Sequence, residues 1–360
     1  MSPANVQGRQ SASVVARAPG RVNLIGDHTD YTGGLVLPMA IDRWTVVVGD
    51  RGGNHVQLRS VQERALATVP LRVTDPHDVE PSWARFVAGV VAEMKPAHGF
   101  AGTVDTTIPV GAGLSSSAAL EVAVALALGF DGTALELAQL CQRAEVRASG
   151  VPTGIMDQLC SAAGVDDHAL LIDCHTLGIT PVALPATTAA EIVVVYGHRR
   201  TLVGSEYATR VAECAAAEAI IGPLRLAGTA DLAGIKDKVV RARARHVINE
   251  NRRVIEFAAA VRSGNLATAG ALMVESHVSL RDDYATSTDL MDGLVERVCA
   301  LDGVYGARMT GGGFGGCVVA LARPGSLSEG WTVRAVAGAG VAVSERRPAP
   351  SPKAAAESSS

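Results

Sequence analysis

The order of apolar and polar positions divides the chain into strand-like and helix-like stretches. Short runs rich in β-branched residues predict strands over residues 14–18, 36–42, 44–49, 56–58 and 103–108, and again over 169–173 and 191–196. Apolar positions three and four apart predict helices over 83–94, 135–149 and 156–163. In the second of these, Leu137, Leu140, Cys141 and Ala144 share one face, and Gly150-Val151-Pro152 stops it. From 206 to 296 the signal is mostly helical. Residues 304–309 and 317–322 read as paired strands around a glycine segment, and 331–335 with 340–343 as a last strand pair. The class is α+β. Residues 181–190, with two prolines and no strong periodicity, mark the best boundary. That gives domains at 1–185 and 186–345, followed by a Pro/Ala/Ser-rich tail at 346–360 expected to be disordered.

Composition narrows the function. A chain of 360 residues suits two domains, and 48% hydrophobic residues supply a large core. A net charge of −4 with interspersed signs gives no general attraction for nucleic acid. With aromatics at 4%, no base-stacking surface is expected to dominate. The most apolar stretch, 118–130, is broken by Glu121 and is too short to span a bilayer. Residues 1–12 lack an apolar signal core. The six cysteines form no C-x-x-C pair and have no zinc spacing, so they read as buried thiols in a reducing compartment. The expectation is a soluble, cytoplasmic, monomeric protein with no membrane and no nucleic-acid partner. The basic run at 236–253 has an apolar side and reads as a solvated helix face, and Asp282-Asp283 as surface or helix-cap chemistry.

Three segments carry the chemistry. Gly111-Ala112-Gly113-Leu114-Ser115-Ser116-Ser117 precedes a strong helix former at 118–128. Glycines that turn N–H groups toward an anion, opening onto a helix N-terminus, make a phosphate site. No lysine follows the loop, so this is not a Walker loop and its neutralising charge must come from elsewhere. Residues 20–31 pack Arg21, Asp27, His28 and Asp30 closely, as a polyhydroxylated ligand requires, since one carboxylate can bridge two hydroxyls. The third segment, Gly311, Gly312, Gly313, Phe314, Gly315 and Gly316, lies between strand-like runs and implies close backbone approach. A dinucleotide-binding reading fails, because these glycines open no βαβ unit with an acidic residue at the next strand end. Asp157 opens a predicted helix, where a carboxylate complements the dipole. An arginine such as Arg21 could hold it ionised for phosphoryl transfer.

These segments resemble the signature motifs of the GHMP small-molecule kinases, and residues 20–34 resemble the galactokinase branch. The similarity continues through Gly154-Ile155-Met156-Asp157-Gln158, residues 203–207, residues 243–247 and residues 275–284, in order and spacing from about 15 to 322. The resemblance implies a two-domain fold with the active site in the interdomain cleft, and an enzyme using ATP and Mg²⁺ to phosphorylate galactose at its anomeric hydroxyl. It assigns Asp157 and Arg21 to catalysis and Asp27, His28, Asp30, Gly154 and Tyr207 to the sugar. It assigns Gly111, Gly113, Leu114, Ser115, Ser116 and Ser117 to ATP, and Ser117 with Glu145 to the metal. It sets the glycine segment 311–316 against the phosphate loop. Whether Asp157 is a base or an orienter stays open. Two departures stand out: the branch usually carries glutamate at the position of Asp27, longer by about 1.5 Å, and residues 196–200 lack the usual Asn- or Asp-led turn. The Asp27 departure keeps a kinase for a related sugar, such as N-acetylgalactosamine, in play. A non-catalytic sugar sensor is a further alternative, disfavoured by the intact Ser115-Ser116-Ser117-Ala118-Ala119, Arg21 and Asp157.

Overall fold

The computed structural model describes residues 12–199 and 203–345. The expected tail at 346–360, the N-terminal stretch through 11 and Arg200 lie outside the described residues. A six-stranded sheet contains β1 (Ala12–Asn23), β3 (Pro38–Arg51), β4 (His55–Ser60), β5 (Ala67–Pro70), β6 (Phe100–Thr106) and β13 (Gly340–Glu345), in the order β13-β1-β3-β6-β4-β5. A three-stranded sheet has the order β2-β7-β8, from β2 (Leu35–Val36), β7 (His168–Asp173) and β8 (Gly178–Ala183). A four-stranded sheet, β10-β11-β9-β12, is built from β9 (Glu191–His198), β10 (Val304–Thr310), β11 (Gly316–Ala322) and β12 (Trp331–Val333). The helices are α1 (Ala84–Met94), α2 (Ser116–Leu128), α3 (Ala134–Ser149), α4 (Met156–Ala163), α5 (Val203–Ile221), α6 (Lys238–Arg262), α7 (Leu266–Asp282) and α8 (Asp289–Cys299).

Helix α2 is apolar nearly all round, and its run of alanines and valines is buried against β1, β3 and the helices α1, α3 and α4. It is the axial element of the first half, and its first turn carries the serine loop. A second cluster, including Val193, Val195, Leu280, Met291, Val298, Met309 and Val318, fills the other half.

Several expectations are corrected. The strand expected over 14–18 runs on to Asn23 through a bulge opposite β3, where Pro19 pairs with Trp44 but Arg21 with Ala40. The two strands expected at 36–42 and 44–49 are largely one, β3. The residues expected as a last strand pair do not pair with each other: β12 pairs with β9, whereas β13 returns to β1, with Val14 opposite Val343. Strands β5 and β8 had no prediction. Pro181, expected in a linker, lies in β8, an edge strand where a missing N–H is tolerated. The basic run on α6 is not simply a solvated face, because Arg243, His246, Glu250 and Arg253 are buried.

Candidate active site

The bulge in β1 aims Arg21 at the start of α4. Gly20 leaves room for the serine loop: a β-carbon there would stand 2.8 Å from Leu114 O. Arg21 N–H then donates to that same carbonyl at 3.2 Å. The Arg21 guanidinium donates from Nε to Asp157 Oδ1 at 2.7 Å, from Nη2 to Asp157 Oδ2 at 2.8 Å, and from Nη1 to Gly113 O at 2.6 Å. This planar fork holds the carboxylate bidentately and ties it to the glycine loop. Burial and the Asp157 carboxylate act in opposite directions on the Arg21 pKa, and the net is upward. Ser115 Oγ also donates to Asp157 Oδ2. Three of the carboxylate's lone-pair sites are therefore engaged, leaving capacity for one further donor.

Ser115 caps α2 in the left-handed region, at φ 60°, an uncommon conformation for a residue with a β-carbon. Gly111 and Gly113 are left-handed as well, at φ 76° and 80°. Ser117, in the first turn of α2, donates to Glu145 Oε1 at 2.8 Å. Glu145 is not a solvated carboxylate: burial first, then Asp157, raises its pKa.

These groups line one cavity of about 380 Å³, closed on its far side by Arg199, Tyr207 and Gly312 from the second half of the chain. The exposed Arg199 lies against Gly111. A second, mostly apolar cavity of about 260 Å³ shares Ser116 and Ser117 and is walled by Trp83, Phe86, Val110 and Leu120.

The 24–35 loop places its polar residues unequally. Asp30 lines the main cavity, and Gly154 fits against it so closely that a β-carbon at 154 would fall 1.9 Å from Asp30 Oδ2. Burial, reinforced by Asp157, pushes the Asp30 carboxyl up to about 7. Asp27 faces inward, 1% exposed. Its Oδ1 accepts from Asn23 Nδ2 at 2.9 Å and from Gly311 N–H at 3.2 Å, and its Oδ2 lies 2.6 Å from Arg308 Nη2. His28, at φ 65°, is 4% exposed and reaches Tyr31 Oη through Nδ1 at 3.1 Å. Tyr31 Oη bonds Tyr284 Oη, and Tyr207 packs on the His28 and Tyr31 rings with centroids 5.5 and 5.4 Å away.

The structure thus gathers Asp30, Gly111, Gly113, Ser115, Ser116, Ser117, Glu145, Gly154, Asp157 and Tyr207 around one space. Arg21 stands directly behind Asp157, and Asp27 and His28 stand behind the wall. The glycine segment contributes Gly312 to that space, while Gly311 holds Asp27 and Phe314 N–H donates to Thr286 O at 2.8 Å. Sequence reasoning gave no role to Arg199, Arg308, Tyr284 or Gln158. Arg308, a lone cation in an apolar strand, was the visible signal among them. Among the described residues, no group of three or more His, Cys, Asp or Glu side chains is arranged to hold a metal by itself.

Three family comparisons agree with this geometry. The GHMP kinase N-terminal domain matches residues 84–165 and the C-terminal domain residues 257–331, so fold and site define a GHMP-type small-molecule kinase. The galactokinase galactose-binding signature matches residues 5–51. Galactokinase from Homo sapiens is 45% identical over 322 residues, covering 84% of this chain and 82% of its own, and that from Roseiflexus sp. is 44% identical over 346 residues, covering 87% and 84%. The crystal structure of Lactococcus lactis galactokinase complexed with galactose superposes with a TM-score of 0.82 at 30% identity, over 91% of this chain and 95% of that one. The chain belongs to the galactokinase family. A mevalonate kinase structure at 19% identity and a TM-score of 0.62 shares the fold.

Proposed function

We propose that the protein transfers the γ-phosphoryl group of ATP to the anomeric hydroxyl of D-galactose, giving α-D-galactose 1-phosphate and ADP. The observation that carries this reading is the Arg21–Asp157–Ser115 cluster at the mouth of a glycine-rich loop, in a cavity whose other wall is Asp30, Gly154 and Tyr207. The family's galactose-binding signature and the galactose-bound relative favour galactose over N-acetylgalactosamine or a sensor role.

The triphosphate fits the N-terminus of α2, where left-handed glycines and the helix dipole favour anions. Arg199, against Gly111, supplies cationic charge that no loop lysine provides. The base fits the apolar recess beside Trp83 and Phe86. Asp30 accepts two sugar hydroxyls, and Tyr207 covers the ring. The anomeric hydroxyl donates to the remaining lone pair of Asp157. That carboxylate orients the oxygen toward the γ-phosphorus and accepts its proton as the new P–O bond forms and the bond to ADP breaks. Arg21 fixes Asp157 in position through its bidentate fork.

Magnesium fits the donors beside the loop. Ser117 Oγ and Glu145 Oε1 are adjacent hard oxygen ligands, and the Glu145 and Asp157 carboxyl groups line the same cavity. Two protein ligands with phosphate oxygens completing the shell is the pattern this ion favours. When bound, it would neutralise charge on the transferring phosphoryl group.

Asp157→Asn preserves the shape of the site and removes the proton acceptor. Turnover is expected to fall at least about a hundredfold with galactose binding retained, read by steady-state kinetics beside calorimetric titration. Near-normal turnover contradicts the assignment.

A further inference from the structure

Behind the Ser117–Glu145 pair lies a layer of side chains that the reaction above does not use. Ser117 and Glu121 are four residues apart on α2 and share a face. Glu145 comes from α3 and Gln158 from α4, the residue after Asp157. Glu121 and Gln158 are both 0% exposed, deep in a helical core that otherwise contains small apolar residues. Gln158 Nε2 donates to Glu145 Oε2 at 2.6 Å and to Glu121 Oε2 at 3.2 Å. One amide therefore spans two carboxyl groups on two helices. Carboxylate oxygens accept, so the amino end of Gln158, and not its carbonyl, has to face them.

We propose that Gln158 and Glu121 are positioning residues for the cation site: Glu121 fixes the Gln158 amide, and the amide holds Glu145 Oε2 so that Oε1 stays turned toward Ser117. This rests on the kinase reading above. The division of labour within Glu145 supports it. Oε2 is held by Gln158, with Thr153 Oγ1 farther away at 3.4 Å, whereas among the described residues Oε1 bonds Ser117 alone. A glutamate has three side-chain torsions, and pinning one oxygen removes most of that freedom before a cation arrives. Glu121 Oε1 and Gln158 Oε1 are buried acceptors that lack a donor among the described residues. Burial, then Glu145, raises the Glu121 carboxyl well above the usual range. The arrangement also explains a polar pair in this core: two apolar residues of equal volume would pack as well but would leave Glu145 unheld.

The test measures Mn²⁺ affinity in the presence of ADP by electron paramagnetic resonance, beside the galactose KM, in the full chain. Gln158→Met, close in volume and without the amide, is expected to weaken Mn²⁺ binding by roughly 10–100-fold with the galactose KM within about twofold. Glu121→Leu is expected to match it, and Glu121→Gln, which keeps an acceptor oxygen for the Gln158 amide, to stay within about threefold of the parent. Unchanged Mn²⁺ binding in Gln158→Met, or a galactose KM that rises as much as the cation constant, overturns the inference. If Gln158→Met does not fold, the Glu121→Leu and Glu121→Gln pair decides, because equal behaviour of the two also overturns it. Glu145→Gln separates the two levels. Loss there without loss in Gln158→Met overturns this inference alone, and no loss in Glu145→Gln overturns the cation assignment together with it.

Discussion

Asp30 shows how a residue's surroundings set what it can do. A carboxyl that titrates at about 7 because of burial and Asp157 is half protonated near neutrality in the empty site. Sugar hydroxyls donate to the ionised form, so binding favours loss of that proton. Galactose affinity is therefore expected to fall as pH drops below about 7 and to level off above it, a limb that Asp30→Asn should abolish. A kcat/KM profile from pH 5.5 to 8.5 checks this, and a flat profile in the parent contradicts it. Gly154 is the steric counterpart: Gly154→Ala drives a methyl into Asp30 Oδ2 and is expected to lower kcat/KM by about a hundredfold with the melting temperature little changed. Circular dichroism melting beside kinetics would separate the two effects. At this scale the motifs marked Arg21, Asp30 and Asp157 as candidates, whereas Glu145 and the metal role of Ser117 came only through the family resemblance. The sequence could not show that Asp27 faces Arg308 from 281 positions away, because that contact belongs to the folded chain.

Among the elements, α6 differs most from its sequence reading. Its charged residues looked solvated because polar side chains usually are, yet one face anchors the 24–35 loop. Glu250 Oε1 accepts from Gly26 N–H at 2.9 Å and from Ser276 Oγ at 2.5 Å, while Arg253 pairs with Glu250 Oε2 at 2.7 Å. His246 lies 3.1 Å from Asp27 O through Nε2, and Asn251 Oδ1 accepts from Leu35 N–H at 2.7 Å. Burial raises the Glu250 pKa, but Arg253, His246 and Arg308 outweigh it and bring it to about 2, whereas burial lowers His246 to about 4. Both folded values lie below their unfolded ones, about 4.3 and 6.5, so the unfolded chain binds more protons. Stability from these groups is full above about pH 6.5 and is lost as pH falls toward 4 and then 2. Glu250→Ala leaves Arg253 without its partner in the core and is expected to cost about 3–5 kcal/mol, measured by urea unfolding at pH 7. A cost under about 1 kcal/mol would mark the network as incidental. Helices with clean periodicity, such as α3 and α4, were legible nearly to their ends. The partners of β12 and β13 were not, since alternation names a strand without naming its neighbour.

Over the whole molecule, the return of β13 to β1 brings the end of the described chain back to the first sheet, beside the strand that carries Arg21. The cavity is shared: the serine loop, Glu145 and Asp157 come from one half, and Arg199, Tyr207 and Gly312 from the other. Fold class and the two-part architecture were legible because motif order and alternating element types extend along nearly the entire chain. The cleft itself required the juxtaposition of residues 111–117 with 199–207 and 312. Among the described residues, no helix is long and apolar enough to cross a membrane. Galactose phosphorylation is tested most directly by ADP release with ATP and Mg²⁺ across galactose, glucose, galactosamine, N-acetylgalactosamine and arabinose. Galactose-dependent turnover with the highest kcat/KM of the panel is the predicted result. Preference for another sugar, or galactose and ATP binding without turnover, would contradict it.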